Sequence, residues 1–299
     1  MAELVLTYGA GGVQGAPVAH ELLRAGVRVR ALVTDAAKNR ALADAGAEVL
    51  AGNLADLDSL RRASQGVDRV FLTLPFSGGD PLDSARNAIQ AAREAGVKLL
   101  VLNTSGQTPS EPTGLPMLDA RIALEQALRA SGVPNIILRP TAYMENFLGP
   151  WVLPRLQAEN VLAYPVGAGR PTSWLAARDL GRFARAALER PDLAGQAFDL
   201  GGPQALRGAD LAAAFSAALG REIRYEAISP AQFGKIMGRV MGPEAEAGIV
   251  AAYTAGEAAP LDAMVVDMRR VQSQLPVEQT TLEEWVRQHA GLFAPPARA

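Results

Sequence analysis

Hydrophobic and polar positions change period repeatedly over the first 140 residues, and the changes predict alternating strands and helices. Residues 4–8 are a short, mostly apolar run, the pattern of a strand buried on both faces. Residues 16–24 have apolar positions at helical spacing. Residues 27–33 alternate as a second strand, with Gly26 as the helix stop before them. A helix over 36–45 ends at Gly46, and residues 47–50 are a third strand. A helix over 56–65 ends at Gly66, and residues 70–74 are a fourth strand stopped by Pro75. A helix over 82–95 ends at Gly96 before a fifth strand at 98–102. A helix near 118–130 ends at Ser131-Gly132, and residues 135–138 are a sixth strand.

This alternation predicts an α/β fold, a doubly wound parallel sheet covered by helices on both faces. After residue 140 the pattern weakens. Residues 145–170 read as irregular, broken by Pro150, Pro154 and Pro165. A helix at 178–189 and a strand at 197–200 return to the main sheet, and Gly201-Gly202-Pro203 ends the strand. Residues 204–299 read as mostly short helices with one strand candidate at 223–227. The expected division is a Rossmann-type domain, residues 1–144 with 171–203, and a smaller, mainly helical lid, residues 145–170 with 204–299. The lid would form a substrate pocket over the sheet's carboxyl edge.

Between the first strand and the first helix lie Gly9, Gly12 and Gly15. A glycine turn between strand and helix is the setting of a dinucleotide-binding fingerprint, here spaced GxxGxxG. Gly9 lets the chain leave the strand in a tight turn. Gly12 lets backbone approach a pyrophosphate, and Gly15 lets the helix pack on the sheet. The phosphates would sit where backbone N–H groups lack partners and the helix dipole favours an anion. Pro17 suits the first helical turn, where a missing N–H costs least.

Composition narrows the chemistry. Apolar residues make up 49% and charged residues 20%, an ordinary balance for a globular protein. The net charge of −2 offers no basic footprint for nucleic acid. There are no cysteines, so thiolate metal sites and cysteine nucleophiles are excluded. The two histidines, His20 and His289, fall in the first and last helices and build neither a zinc site nor a Ser-His-Asp triad. No metal is expected. No signal peptide and no apolar run long enough to span a membrane is visible, so the cytoplasm is the expected location.

The ordered motifs resemble the NmrA-like group of atypical short-chain dehydrogenase/reductases over most of the chain. The matching pieces begin with Gly9-x-x-Gly12-x-x-Gly15, Val29-Arg30-Ala31-Leu32-Val33, Gly46-Ala47-Glu48-Val49, Gly52-Asn53-Leu54-x-Asp56 and Val70-Phe71-Leu72-Thr73. They continue with Ser131-Gly132-Val133-Pro134, Ile137-Leu138-Arg139-Pro140 and Met144-Glu145-Asn146-Phe147. Trp174, Arg178-Asp179-Leu180 and Leu200-Gly201-Gly202-Pro203 complete the set. The resemblance implies a bound NAD(P) and a small domain over the nicotinamide. It implies two classes of function, a reductase or a non-catalytic dinucleotide sensor that regulates a partner protein.

On that resemblance the cofactor contacts are Gly9, Gly12, Val13, Gln14 and Gly15, then Thr34, Lys38, Asn53 and Leu54. Thr73, Leu74, Pro75, Arg121, Tyr143 and Asn146 follow along the strand ends. Asn53 stands where the family usually has aspartate; its amide can still bond an adenine edge. Cofactor choice has two readings. Asp35 lies 20 residues after Gly15, the distance of an acid that binds a ribose 2′-hydroxyl and favours NAD. Lys38, with Arg40 nearby, matches a family lysine that could face a 2′-phosphate, and Thr34 lacks the arginine often found there. The balance leans to NADP(H).

The catalytic pair of the wider superfamily, Tyr-x-x-x-Lys, is missing: Met117 and Arg121 stand in its places. Lys38, Lys98 and Lys235 are the chain's lysines, and none is placed for nicotinamide-side chemistry. Arg121 is a permanent cation that could bind the nicotinamide ribose. Tyr143 and Ser105 are the candidate catalytic donors, with Thr104 as an alternative to Ser105 and packing as the alternative role for Tyr143. Phe76, Phe147 and Trp151 could line an apolar pocket, and Trp174 reads as core. The expected partner is a small apolar or quinone-like substrate or a regulated protein, without nucleic acid or membrane, in a monomer or homodimer.

Overall fold

The computed structural model describes residues 3–75 and 80–295. Six strands of the main sheet are β1 (Leu4–Tyr8), β2 (Arg28–Val33), β3 (Glu48–Ala51), β4 (Arg69–Thr73), β5 (Leu99–Asn103) and β6 (Asn135–Pro140). The seventh, Ala197–Leu200, lies at the edge beside β6. Their spatial order is Ala197–Leu200, β6, β5, β4, β1, β2, β3, and every pairing is parallel. This is the expected α/β Rossmann sheet. The chain order reverses between β1 and β4, so a crevice opens at their carboxyl ends.

The helices on this sheet are α1 (Gly15–Arg24), α2 (Arg40–Asp44), α3 (Leu57–Ser64), α4 (Pro81–Glu94) and α5 (Pro116–Ala130). Their ends follow local chemistry. The Asp56 carboxylate caps α3 by accepting from the N–H of Asp58 and Ser59. Asp80 does the same for α4 from Leu82, with Pro81 in its first turn. All five stop at the predicted glycines; Gly26, at φ +76°, has the left-handed backbone that ends α1.

Alternate residues of each strand feed two cores. Val5, Val29, Phe71, Val101 and Ile136 face α1 and the helix Ala177–Leu188. Leu6, Leu72, Leu100 and Ile137 face α3, α4 and α5. The helices α1 and Ala177–Leu188 cross closely because Gly181 has no side chain to strike the Pro17 carbonyl. A third, aromatic core joins Phe147, Tyr164, Trp174, Phe215, Trp285 and Phe293.

Residues 145–170 are more ordered than their prolines suggested. They contain a 3-10 turn at Met144–Leu148, the helix Leu153–Glu159 and the strand Val161–Tyr164. Pro154 sits in the first turn of that helix, where its missing N–H breaks no bond. Val161–Tyr164 pairs in parallel with Arg224–Ala227. Ala142–Tyr143, Thr172–Leu175 and Ala205–Leu206 make a separate three-stranded sheet. The helices after residue 204 include the 12-residue Pro230–Met241 and the 16-residue Pro243–Ala258, longer than the short segments expected.

Candidate functional site

The glycine loop is built by exclusion of side chains. Gly9 has φ +68°, and a Cβ there would stand 2.9 Å from both the Thr73 methyl and the Thr73 carbonyl oxygen. A Cβ on Gly15 would strike the Gly9 carbonyl, so α1 can start this close to β1 only with glycine. Gly12 donates its N–H to Gly9 O at 2.9 Å, and a Cβ on it would meet only that oxygen, at 3.3 Å. Gly11, unmarked by the sequence pattern, lies against the Asn39 amide, where a Cβ would be 2.5 Å from Oδ1. The N–H groups of Val13 and Gln14 find no acceptor among the described residues. Val13 itself is exposed. Free N–H groups before a helix N-terminus can accept an anion.

Gln14 points its side chain inward. Its Oε1 accepts from Asn103 Nδ2 at 2.7 Å, Ser105 Oγ at 2.7 Å and Thr73 Oγ1 at 3.1 Å. Asn103 Nδ2 also donates to Thr73 Oγ1, and Asn103 Oδ1 accepts from Ser105 N and the Tyr143 hydroxyl. Five residues from the loop, β4, β5 and the segment after β6 thus meet in one network at the carboxyl edge. Ser105 is held at φ +59°, a left-handed backbone that costs a non-glycine residue about 1–2 kcal/mol.

Tyr143 is buried, and burial pushes its phenol far above the ordinary range. A phenol that holds its proton this firmly is a poor acid. Thr104 donates to the Gly106 and Leu138 carbonyls and is buried, so its hydroxyl is not offered to a ligand. Arg121 is partly buried, with its guanidinium over the Gly106 backbone and Nη1 donating to Gln107 O at 3.1 Å. Burial lowers its pKa, while the nearby Tyr143 phenol acts in the opposite direction. Arg121, Ser105 and Tyr143 therefore gather at one end of the crevice.

The other expected contacts spread along the sheet edge. Asp35 Oδ1 accepts from the N–H of Ala37 and Lys38, forming a capped turn. Lys38 is exposed, with Nζ 3.7 Å from Asp35. Thr34 and Arg40 are exposed. Asn53 Oδ1 accepts from Ala55 N, closing its own turn. Leu54 is half-buried, Thr73 buried, Leu74 half-buried and Pro75 exposed. Asn146 is half-buried near the Tyr164 phenol. Phe147 and Trp174 are core, with rings 4.5 Å apart, while Trp151 lies against Gly149. Phe76 lies outside the described residues. Lys98 pairs with Asp68 at the opposite end of β5, at 2.7 Å. No metal-ligating group of three acidic or histidine side chains occurs among the described residues. A cleft beside Ala197, Phe198 and Asp199, on the far edge of the sheet, holds none of the expected contacts.

Asn103 is the residue that sequence reading missed. Its signal was a polar side chain ending an otherwise apolar strand, at the edge where ligands bind.

A family model described as the NmrA-like family matches residues 1–286. The chain is 33% identical over 291 residues to an NAD(P)H azoreductase of Xenophilus azovorans, covering 97% of this chain and 99% of that one. It is 32% identical to a (4-alkanoyl-5-oxo-2,5-dihydrofuran-3-yl)methyl phosphate reductase of Streptomyces griseus, covering 98% and 100%. Among solved structures, an NADPH-dependent quinone oxidoreductase from Escherichia coli complexed with NADPH superposes with a TM-score of 0.76. Identity there is 25%, over 96% of this chain and 99% of that chain.

Proposed function

The chain belongs to the NmrA-like family, and from that premise we propose that it is an NAD(P)H-dependent reductase of small conjugated acceptors such as quinones. The observation that carries the reading is the meeting of Gln14, Thr73, Asn103, Ser105 and Tyr143 at the switch point, beside the Arg121 guanidinium. Three relatives that match nearly end to end are reductases by name, and their acceptors differ.

The cofactor fits the loop: the N–H groups of Val13 and Gln14 are free for a pyrophosphate, and Gly12 leaves space above them. Asn53 and Leu54 would take the adenine end. Thr73, Leu74 and Pro75 would flank the nicotinamide half. NADPH is favoured over NADH in this reading because the Asp35 carboxylate is engaged by backbone N–H groups and by Lys38 Nζ at 3.7 Å, and the exposed Lys38 would turn to a 2′-phosphate. Bound NADPH would supply the hydride. The protein orients it, and water supplies the proton, because the Tyr143 phenol holds its own too firmly. Tyr143 and Asn146 pack the nicotinamide side, and Arg121 offers N–H groups to the ribose.

The second reading is a dinucleotide sensor that regulates a partner protein. What favours it is Met117, exposed where the superfamily has its catalytic tyrosine. No described helix is long and apolar enough to cross a membrane, and we place the activity in the cytoplasm. The experiment that separates the readings is NADPH oxidation by a panel of quinones, azo compounds and enones. Turnover supports the reductase; a panel without turnover, in protein that binds NADPH, leaves the sensor.

A further inference from the structure

Arg121 carries a charge that no described side chain neutralises. Some partly buried arginines are paired, Arg139 with Glu125 at 2.6 Å and Arg182 with Asp179 at 3.0 Å; Arg170 and Arg221 bond only to backbone carbonyls, but neither lies at the crevice. Arg121 forms no ion pair among the described residues, and its one hydrogen bond goes to a neutral carbonyl. A cation removed from water without an anion is costly, and a guanidinium stays protonated at neutral pH. The guanidinium lies over the Gly106 backbone, where a Cβ would stand 2.5 Å from Nη2, so the glycine lets it approach the loop.

Met117 lies one turn before Arg121 on α5, on the same helix face. It is 38% exposed, and its Cε reaches to 3.3 Å from a Cβ position on Gly248 of the helix Pro243–Ala258. A polarizable thioether and an unpaired cation thus stand together between α5 and the lid helix. Ribose hydroxyls could occupy some of the guanidinium N–H groups but would leave its charge unbalanced.

We propose that Arg121 recognises the acceptor, and that the acceptor is a small aromatic or conjugated molecule bearing an anionic group: a carboxylate, sulfonate or phosphate. The planar fork of the guanidinium offers paired N–H donors to two anionic oxygens. Met117 supplies an adaptable apolar wall for the ring. This inference rests on the reductase reading but makes its own demand on the site.

The test is calorimetric binding of a redox-inert pair, naphthalene-2-sulfonate and neutral 2-naphthol, to protein saturated with NADP+. The sulfonate is expected to bind at least about tenfold more tightly. Arg121→Gln should abolish that preference, and Arg121→Lys should keep part of it, with NADP+ affinity measured in each variant to ensure saturation. Equal binding of the two compounds, no binding of either, or a preference that survives Arg121→Gln overturns the proposal. Sulfonate binding without turnover of any acceptor would remove the reductase reading and leave the anion site standing. Turnover of neutral quinones without sulfonate binding would do the reverse.

Discussion

The side-chain oxygen of Gln14 accepts a 2.7 Å hydrogen bond from the Ser105 hydroxyl, across 91 residues of chain. The bond joins the glycine loop to the end of β5, and Asn103 and Thr73 donate to the same oxygen. Gln14→Leu would leave three donors without their acceptor, and one unsatisfied buried group costs about 1–3 kcal/mol. Thermal melts should show a loss of that size, with weaker NADPH binding. Gln14→Glu, which keeps an acceptor, should lose less. Equal stability of the leucine variant and the parent would show that the network does not hold the loop.

The glycines of the loop should separate folding from binding. Gly15→Ala drives a methyl into the Gly9 carbonyl and should destabilise the fold. Gly12→Val meets only one protein atom at the Cβ and should stay folded while losing dinucleotide binding. Circular dichroism with calorimetry distinguishes the two. Parent-like NADPH affinity in Gly12→Val would remove the phosphate from this loop.

Cofactor preference should be small. Lys38 is exposed, so its attraction to a 2′-phosphate is worth about 0.2–1 kcal/mol and weakens in salt. The NADPH to NADH affinity ratio should be under about tenfold, and Lys38→Ala should shrink it. Asp35→Ala should loosen the turn at Ala37 and Lys38 without creating a preference for NADH. A ratio unchanged by both substitutions would place the choice elsewhere.

Tyr143→Phe tests the source of the proton. Burial raises the phenol's pKa, so Tyr143 is expected to add no alkaline break to the rate. The variant should lose only its bond to Asn103, about 1 kcal/mol, and keep most of its turnover. A hundredfold loss would make Tyr143 the acid.

The sheet was legible because its signals are local. Apolar runs named the strands, Ala197–Leu200 falls where the pattern placed it, and Gly26, Gly46, Gly66, Gly96 and Gly132 marked the helix ends. Pro154 misled because a proline looks the same at a helix start as in a loop. The Gln14–Asn103 bond spans 89 residues and leaves no periodic trace. Gly11 was passed over for a similar reason: its close approach is to the Asn39 amide, which only the tertiary fold brings near. That Arg121 forms no ion pair among the described residues likewise appears only in the tertiary fold.

The most direct measurement is NADPH oxidation by a soluble quinone, followed together with hydroquinone formation, in the parent and in Gly12→Val. The predicted result is one hydroquinone per NADPH in the parent and a rate at background in the variant. Parent protein that binds NADPH yet gives no oxidation above background with quinones, azo compounds or enones would contradict the reductase assignment.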